Sequence, residues 1–442
     1  MTPGARLQAT IEILEQSFAA PLAADAIAEA YFRRRRYAGS GDRRAVQARV
    51  FAVLRHKARL EWHIGRVSAL PPSPRTLALA DAIVGDQVDA DGAARLFGGS
   101  PYTPPPLAEG ELALARALQG RALDDPAMPD PVRFEYPNWL DRSLRTAFGE
   151  RLQPEMSALN LQAHLDLRVN AIMGARDAAR DALAVDGVET DPTPLSPWGL
   201  RVKNSVRIGG TAAFKQGLVE VQDEGSQIIA ALVGAEPGMT VVDFCAGAGG
   251  KTLALAAAMS RRNGIEGRLI ACDTSSTRLK RMTARLVRAG ADGVERVALE
   301  DETGSALAEW TNAADQVLLD VPCSASGTWR RDPLAKWRLG PEQLARYAES
   351  QRSILDRAAA LVRPGGRLVY ATCSILPEEN ETQVAAFLAR NNTFRIVPMT
   401  RAWSETLGGT PPVGNQFLRL TPAASGTDGF FAAVLERSPS GR

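Results

Sequence analysis

VVDFCAGAGGKT, at residues 241–252, is the stretch that decides the fold of this 442-residue chain. It starts as an apolar strand, passes through a glycine-rich turn and continues into the alanine- and leucine-rich pattern of a helix. Glycines at such a turn let the backbone approach a ligand closely, and the amide groups of the helix N-terminus point towards that ligand. The stretch therefore predicts an α/β domain with a binding site at the end of a strand.

Apolar strands alternate with amphipathic helices from Gly238 onward, which is typical of a doubly wound parallel sheet. The predicted strands are Thr240–Phe244, Arg268–Cys272, Gln316–Leu319, Arg367–Ala371, Phe394–Val397 and Phe430–Leu435. The predicted helices are Lys251–Ser260, Thr277–Ala289, Pro341–Val362 and Pro377–Arg390. We therefore assign residues 236–442 to one α/β domain.

Two further regions precede this domain. Residues 1–130 combine helical spacing of apolar residues with clustered prolines, which predicts an all-helical domain with proline-rich loops. Residues 131–235 contain the end of a proline-rich linker and a small α/β module. In this module we predict strands at Leu165–Val169 and Leu200–Ile208 and helices at Trp139–Phe148 and Asp177–Val185. Three domains agree with roughly 150 residues per domain.

The rare residue types exclude several kinds of site. Spacings of 27, 51 and 50 separate the four cysteines, so neither a CxxC zinc cluster nor a disulfide framework is expected, and we expect no metal. All three histidines lie in the first 164 residues, which excludes a histidine-based triad from the C-terminal half. No window is apolar enough for a membrane span, and acidic residues near the N-terminus argue against a signal peptide. We therefore expect a cytoplasmic protein.

Positive charge is concentrated in residues 33–66, although the whole chain has a net charge of only +2. This basic stretch holds eleven basic and two acidic side chains, a net charge of +9. Such a segment is typical of a surface that binds nucleic-acid phosphates, although a solvated helix surface has the same composition. Its basic residues are Arg33, Arg34, Arg35, Arg36, Arg43, Arg44, Arg49, Arg55, Lys57, Arg59 and Arg66.

The glycine turn is compatible with three kinds of ligand. A phosphate-binding P-loop needs GxxxxGK[ST], but its first glycine would fall on Cys245. A dinucleotide-binding GxGxxG fits Gly247 and Gly249, but its third glycine would fall on Thr252. An S-adenosylmethionine turn is followed by an acidic residue at the end of the next strand. Asp273 stands at that place and could accept hydrogen bonds from both ribose hydroxyls; a tight turn without a ligand is the remaining alternative.

Two cysteines follow predicted strands in polar turns. Cys323 belongs to DVPCS (320–324), and Cys373 belongs to TCS (372–374). Because the carboxyl ends of parallel strands meet at one edge of a sheet, both thiols can reach one crevice. The alternative is that both are small buried residues, which is the commoner role of a free cysteine and the one we expect for Cys245 and Cys272.

One known chemistry combines a thiol with a methyl donor. C5 of a pyrimidine is a poor nucleophile until a thiolate adds to C6, which makes C5 reactive enough to attack a sulfonium methyl group. A base then removes the C5 proton, and the thiolate leaves by elimination. A carboxylate near N3, such as Asp320, would stabilise the charge that develops on the ring.

The sequence resembles the RsmB (Fmu) branch of the Nop/Sun family of RNA 5-methylcytosine methyltransferases. The matching stretches lie in family order over more than 200 residues and are Val221–Gln227, Val241–Thr252, Asp273, Asp320–Pro333, Tyr370–Asn380 and Arg419–Phe431. The resemblance implies a class I, Rossmann-like methyltransferase domain behind a small α/β RNA-recognition module. The segment Tyr31–His56 looks like the NusB-like helical domain of the bacterial members.

The resemblance also implies roles for individual residues. Cys373 would attack C6, Cys323 would assist product release, and Asp320 and Lys251 would face the cytosine. The contacts to S-adenosylmethionine would come from Cys245, Ala246, Gly247, Ala248, Gly249, Gly250, Lys251, Asp273, Arg278, Asp301 and Asp320. Ala248 departs from the proline of most members, which should loosen the turn slightly.

The implied substrate is structured RNA, with small-subunit ribosomal RNA favoured and tRNA as the alternative. The target base must leave its stack to admit attack at C6. The expected phosphate contacts are Arg33, Arg34, Arg35, Arg36, Arg43, Arg44, Arg330 and Arg331. We expect a monomer. A non-catalytic RNA-binding ribosome-assembly factor is the alternative from another class, and the intact cysteine motifs argue against it. Cys245 in the P-loop position argues against an ATPase.

Overall fold

A computed structural model describes residues 1–204, 206–262, 264–299, 305–412 and 416–439. The α-helices in this part of the chain are α1 Pro3–Ala19, α2 Ala24–Arg33, α3 Ser40–Arg55, α4 Lys57–Val67, α5 Pro74–Ala80, α6 Ala90–Leu96, α7 Glu109–Leu118, α8 Asp130–Arg133, α9 Asp141–Phe148, α10 Leu152–Leu159, α11 Arg176–Val185, α12 Ala212–Lys215, α13 Glu224–Ala231, α14 Gly250–Met259, α15 Ser276–Ala289, α16 Ala335–Arg338, α17 Pro341–Ala359, α18 Glu381–Arg390, α19 Met399–Thr406 and α20 Pro422–Ser425. A π-helical turn spans Asp81–Gly85. Short 3-10 turns occur at Asn138–Leu140, Gly149–Arg151, Ile208–Gly210, Ser305–Trp310, Ser326–Thr328 and Pro377–Glu379.

The strands in the same residues are β1 Asp166–Val169, β2 Thr190–Pro192, β3 Gly199–Val202, β4 Val219–Val221, β5 Thr240–Asp243, β6 Ser260–Arg261, β7 Gly264–Ile265, β8 Arg268–Asp273, β9 Glu295–Ala298, β10 Ala314–Asp320, β11 Val362–Thr372, β12 Phe394–Val397, β13 Leu418–Leu420 and β14 Phe430–Arg437. None of the helices described here combines the length and the apolar character that crossing a membrane requires.

The chain forms two compact units. Unit 1 contains Met1–Leu161 and Trp329–Gly340, and unit 2 contains Gln162–Thr328 and Pro341–Arg442. The helical unit therefore continues past the boundary that we expected at residue 130, because α8, α9 and α10 pack in it.

Unit 1 is all-helical, as the sequence indicates for its first 130 residues. Its core buries apolar side chains at helical spacing, such as Leu60 and Ile64 of α4. The excursion Trp329–Gly340 is an integral part of this unit: Lys336 Nζ donates to Asn160 Oδ1 at 3.1 Å, and Arg338 Nη2 donates to Ser17 O at 2.6 Å. Burial lowers the pKa of Lys336 to about 8.

Arg330 lies in this excursion and is only 4% exposed. Its guanidinium is buried, whereas Arg331 is exposed. Arg330 is therefore not displayed at the surface of this structure, and its phosphate contact stays a prediction, as does that of Arg331.

The basic stretch is not one continuous surface. Its second half makes ion pairs inside unit 1: Arg49 pairs with Asp81 at 3.3 Å, and Arg59 pairs with the buried Glu135 at 3.1 Å. The first half differs, since Arg33, Arg34, Arg36 and Arg44 are exposed, whereas Arg35 and Arg43 are half-buried. Most of the exposed charge therefore lies in this first half, and Arg66 is the exposed arginine of the second half.

The small module of unit 2 is an antiparallel sheet with the order β2-β3-β1-β4. Leu167 pairs with Leu200 of β3 and with Val221 of β4. The strand predicted at Leu200–Ile208 is shorter than expected, because β3 ends at Val202 and Ile208–Gly210 forms a 3-10 turn.

The large sheet of unit 2 has the order β12-β14-β11-β10-β5-β8-β9, with β13 paired to β14. The five strands from β9 to β11 are parallel, and β14 runs antiparallel to β11. The sheet is thus mostly parallel rather than wholly so. Chain order reverses next to β5, since β8 and β10 lie on its two sides, and ligands bind at the carboxyl ends of strands at such a point.

Side chains of the central strands enter two separate hydrophobic layers. Val241 packs with the layer that includes Leu253 of α14, and its neighbour Val242 packs with the layer that includes Leu355 of α17. Alternate residues of a strand point to opposite faces, so a strand covered on both sides must be apolar throughout. This explains why the inner residues of β5 and β8 are apolar on both faces.

Candidate active site

The glycine turn lies between the end of β5 and the start of α14. Gly247 has a φ of +56° and Gly249 a φ of +86°, a region that favours glycine. A Cβ atom at Gly249 would lie 2.6 Å from Cγ of Met282, so the turn has no room for a side chain at this position. The backbone is therefore shaped for close approach, as the sequence predicts.

Asp273 ends β8 opposite this turn. Its Oδ2 accepts a hydrogen bond from the Gly247 amide at 2.9 Å, and its Oδ1 accepts one from the Ser275 amide at 2.7 Å. These bonds fix the carboxylate beside the glycine turn, where the sequence predicts a ribose contact. Arg278 Nη1 lies 3.9 Å from Asp273 Oδ2 and is 61% exposed, so it stands at the rim.

Asp243 is a site residue that the sequence analysis did not select. It is the last residue of β5, is almost fully buried, and its Oδ2 accepts a hydrogen bond from Thr252 Oγ1 at 2.7 Å. Its Oδ1 has no hydrogen-bond partner among the described residues. A carboxylate at the end of an otherwise apolar strand was the available signal, because burying one is costly unless it has a role.

Burial raises the pKa of Asp243 to about 7, and the nearby carboxylates of Asp320 and Asp273 add to the rise. The hydrogen bond from Thr252 and the charge of Lys251 act in the opposite direction. Between about pH 4 and 7 the folded protein therefore keeps a proton that the unfolded chain has lost. In that window Asp243 lowers the free energy of unfolding by up to about 1.4 kcal/mol for each unit by which the pH rises.

Asp243→Asn should remove this pH dependence, since an amide does not titrate and still accepts from Thr252. We expect the Tm of the variant relative to wild type to increase steadily between about pH 4.5 and 7. Scanning calorimetry at matched ionic strength measures the difference. A difference in Tm that does not change with pH would contradict the raised pKa.

Lys251 and Asp320 form an ion pair at the strand ends. Lys251 Nζ donates to Asp320 Oδ2 at 2.6 Å, and the aliphatic stem of Lys251 is buried. Burial alone lowers the pKa of Lys251, but Asp320, by charge and by hydrogen bond, and Cys373 together raise it. The ammonium therefore stays protonated at neutral pH and lies within electrostatic reach of Cys373.

The two cysteines of the PCS and TCS turns meet. Cys323 Sγ and Cys373 Sγ are 3.4 Å apart, and both residues are partly exposed. The hydrogen bond to Cys373, followed by burial, raises the pKa of Cys323. The Gly327 amide donates to Cys373 O at 2.9 Å, which connects the two turns. The structure thus brings together the two thiols that the sequence places 50 residues apart.

Glu379 holds the Cys323 turn, and the sequence analysis did not assign it a role. This fully buried carboxylate accepts hydrogen bonds from the Ser324 amide at 2.8 Å and from Gln351 Nε2 at 3.1 Å. Gln351 also donates to Pro322 O at 3.0 Å. The acidic residues after the TCS motif were the signal, but only the fold shows which of them points back to the cysteines.

Asn380 does the same for the Cys373 turn. It accepts from Thr372 Oγ1 at 2.6 Å and donates to Ser374 O at 2.9 Å. Its backbone departs from helical angles, with φ −113° and ψ −104°. The helix predicted from Pro377 to Arg390 is therefore interrupted, with a 3-10 turn before Asn380 and α18 after it.

Two cavities open at this edge of the sheet and share Cys245 and Asp320 in their walls. The larger, about 610 Å³, also contacts Asp273 and Cys323. The smaller, about 400 Å³, lies against the glycine turn and Lys251. Cys245 is thus a wall residue and not the buried filler that its position in the sequence suggested.

The remaining residues that the sequence analysis named have the following positions. Cys272 is fully buried in β8, as we expected. Asp301 lies outside the described residues. Ala246, Ala248 and Gly250 belong to the turn and line the smaller cavity. No group of three potential metal ligands occurs in the described ranges.

Comparisons with known proteins identify the family. The profile of the 16S rRNA methyltransferase RsmB/F family matches residues 230–436, and that of the ferredoxin-like domain of RsmF/B-like methyltransferases matches residues 136–209. A ribosomal RNA small subunit methyltransferase B from Salmonella arizonae is 33% identical over 408 residues, which cover 89% of this chain and 90% of the relative. The chain belongs to the RsmB/F methyltransferase family. The expected family and its methyltransferase activity are thereby confirmed.

Solved structures agree with this RsmB/F assignment. The crystal structure of the protein PH0851 is 25% identical and covers 99% of each chain with a TM-score of 0.77. A methyltransferase homologue from Pyrococcus horikoshii, also 25% identical, covers 71% of this chain and 99% of its own with a TM-score of 0.59. The expected α/β methyltransferase fold with its helical N-terminal region is confirmed.

Proposed function

We propose that this RsmB/F member transfers a methyl group from S-adenosylmethionine to C5 of a cytosine in small-subunit ribosomal RNA. The observation that carries the proposal is the 3.4 Å contact between Cys323 and Cys373 at the carboxyl edge of a methyltransferase sheet. Thiol addition to C6 is the step that makes C5 of cytosine nucleophilic, and a second thiol beside the first can act on its departure.

The residues of the glycine turn fit the proposed cofactor. Gly247 and Gly249 adopt positive φ angles, and Asp243 Oδ1 is a buried carboxyl oxygen without a partner among the described residues. Residues 245–251, Asp273, Arg278 and Asp320 would hold S-adenosylmethionine, and Asp301 is proposed with them. When bound, S-adenosylmethionine supplies an electrophilic methyl group on a sulfonium sulfur.

Cys373 is the proposed nucleophile. Its thiolate forms a bond to C6, and the electron pair of the C5–C6 double bond moves towards C5 and the ring nitrogen N3 and oxygen O2. The protonated Lys251, held by Asp320 at 2.6 Å, neutralises this developing charge. Asp320 is thus a positioning group for Lys251, and its free oxygen can accept from the amino group at C4.

Cys323 is the proposed partner in release. After methylation, the C5 proton passes to a base, the C5–H electron pair restores the C5–C6 double bond, and Cys373 departs as a thiolate. Because the pKa of Cys323 is raised, its S–H stays protonated and can donate a hydrogen bond to the departing sulfur of Cys373. The family resemblance assigns the attack to Cys373, and the Lys251 ammonium lies within electrostatic reach of that thiol.

The substrate assignment rests on the comparisons and on exposed charge. The matched family profile and the Salmonella arizonae relative both have small-subunit ribosomal RNA in their names. The exposed arginines Arg33, Arg34, Arg36 and Arg44 would supply phosphate contacts to such an RNA.

Methyl transfer from labelled S-adenosylmethionine to small-subunit ribosomal RNA tests the proposal. We expect 5-methylcytidine as the only labelled nucleoside, and bisulfite sequencing should place it at defined cytosines. Label in tRNA alone would overturn the ribosomal substrate, and label on another atom would overturn the C5 chemistry. If no methyl group is transferred to any cellular RNA, the remaining hypothesis is a non-catalytic RNA-binding assembly factor.

A further inference from the structure

Unit 1 contains a cavity that the proposed reaction does not use. It has a volume of about 590 Å³, within the ~300–1,000 Å³ of small-ligand pockets. Helices α1 and α2 and the loop around Tyr102 form its walls. Its lining combines three tyrosines with Arg35, Glu12 and Gln8. This combination of rings, charge and hydrogen-bonding groups distinguishes it from a packing defect.

Two of these tyrosines are displayed to solvent. Tyr37 is 70% exposed and Tyr102 is 81% exposed, values that are unusual for large aromatic side chains. Both line the same cavity although they are 65 residues apart in sequence. Two exposed rings around one cavity form a surface on which a flat aromatic ligand can stack.

The backbone holds Tyr102 in an unfavourable conformation. Its φ is +74°, a value that costs energy for a bulky residue and that the surrounding structure must impose. The Gly99 amide donates to Pro104 O at 3.0 Å, and the Thr103 amide donates to Ser100 O at 3.0 Å, so the loop is closed by its own bonds. The hydrogen bonds of the loop therefore hold the ring of Tyr102 at the cavity.

The floor of the cavity is ordered by Glu12. Its carboxylate accepts hydrogen bonds from Tyr31 at 2.8 Å, from Arg35 at 3.0 Å and from Gln8 Nε2 at 2.9 Å. The Arg35 guanidinium also stacks 3.7 Å above the Tyr31 ring. Gln8 keeps its amide oxygen and its second N–H for other partners, which is the donor and acceptor pair that the edge of a nucleobase recognises.

Charge next to the cavity favours a polyanion. Arg33, Arg34 and Arg36 flank Arg35 in sequence and are exposed, and Arg33 has only a 3.5 Å contact with Glu29. Exposed cations beside stacking rings are the combination that binds single-stranded nucleic acid, in which the phosphates and an unstacked base are held together.

We propose that the cavity between Tyr37 and Tyr102 binds one unpaired nucleobase of the RNA, stacked on these rings, while Arg33, Arg34 and Arg36 hold the adjoining phosphates. The proposal rests on the proposed function in that RNA is the substrate. It adds an RNA contact in unit 1 that senses an unpaired nucleotide and takes no part in the methylation chemistry.

Binding of two RNA hairpins to the full-length protein tests this. One hairpin carries a single bulged nucleotide, and the other has the same stem fully paired. Tyr37→Ala and Tyr102→Ala should each weaken binding of the bulged hairpin by about tenfold and leave the paired one unchanged. Tyr37→Phe and Tyr102→Phe keep the rings and should bind within about twofold of wild type.

Three control variants show whether the two rings themselves bind the bulged nucleotide. Leu22→Ala removes an exposed apolar side chain of unit 1 that does not line the cavity, and it should have no effect. Arg34→Ala should weaken both hairpins equally and reduce the salt dependence. Cys272→Ala changes a buried thiol outside the proposed chemistry and should bind the bulged hairpin like wild type. All binding is measured without S-adenosylmethionine, so a failure of the methylation chemistry leaves this experiment intact.

Cross-linking supplies a second, direct measurement. A 5-bromouridine at the bulge should cross-link on irradiation to Tyr37 or Tyr102, identified by peptide mass spectrometry. A double Tyr37→Ala, Tyr102→Ala variant that folds and binds the bulged hairpin like wild type would overturn the proposal. Equal loss of affinity for both hairpins, or cross-links confined to residues outside the cavity, would overturn it as well.

Discussion

Cys373→Ala is expected to abolish methyl transfer, by ~10⁴-fold or more, the scale on which enzymes lose rate with their nucleophile. The same variant should form no covalent adduct with RNA, because the thiol that bonds to C6 is gone. The two sulfur atoms lie 3.4 Å apart, and Cys373 is the one that the family resemblance makes the nucleophile and that lies within electrostatic reach of the Lys251 cation. Filter binding of labelled RNA after denaturation measures the adduct.

Cys323→Ala should behave differently from Cys373→Ala. Turnover should fall to a similar extent, but the adduct should accumulate, because the departing thiolate of Cys373 has lost its hydrogen-bond donor. Cys272→Ala removes a buried thiol of the same unit and should keep turnover within a few-fold of wild type, which controls for loss of a thiol as such. Adduct accumulation in Cys373→Ala and not in Cys323→Ala would reverse the two roles.

Lys251→Met should reduce kcat by ~10²–10³-fold, the usual cost of removing one charge-stabilising donor from a transition state. Methionine keeps the length of the buried stem but not the ammonium that Asp320 holds at 2.6 Å. The KM for RNA should change much less, since the charge on the ring develops only after Cys373 has added. Steady-state kinetics with saturating cofactor separates the two constants.

The double variant Lys251→Met, Asp320→Asn controls for stability. Breaking the pair leaves the carboxylate of Asp320 without its partner, and removing both charges should restore Tm towards wild type while leaving kcat low. Recovery of kcat in the double variant would show that the pair is only structural. A Lys251→Met enzyme within about threefold of wild-type kcat would remove Lys251 from the proposed mechanism.

The sequence predicted the central fold well, because strands covered on both faces of a sheet are recognisable as short apolar runs. The strands at Thr240, Arg268 and Phe394 begin at the predicted residues. The direction of β14 could not be predicted, since an apolar run is the same for parallel and antiparallel pairing. The excursion Trp329–Gly340 was also missed, because its packing depends on contacts distant in sequence, such as Lys336 with Asn160.

The site was predictable where a motif has a local cause. Gly249 needs a positive φ and an absent side chain, and the pattern of glycines shows both. Glu379 and Asp243 were not predicted, since a carboxylate in a motif or at a strand end shows its partners only after folding. The basic stretch was overestimated for the same reason: Arg59 is as basic in sequence as Arg34, but it is paired with buried Glu135.

Mass spectrometry of the trapped RNA–peptide adduct tests the central claim most directly. Cys323→Ala protein is incubated with S-adenosylmethionine and small-subunit RNA, then digested with protease and nuclease. We predict that the peptide containing Cys373 carries one cytidine nucleotide together with the added methyl group. Cytidine attached to any other residue, or a Cys323→Ala enzyme that turns over without an adduct, would contradict the account.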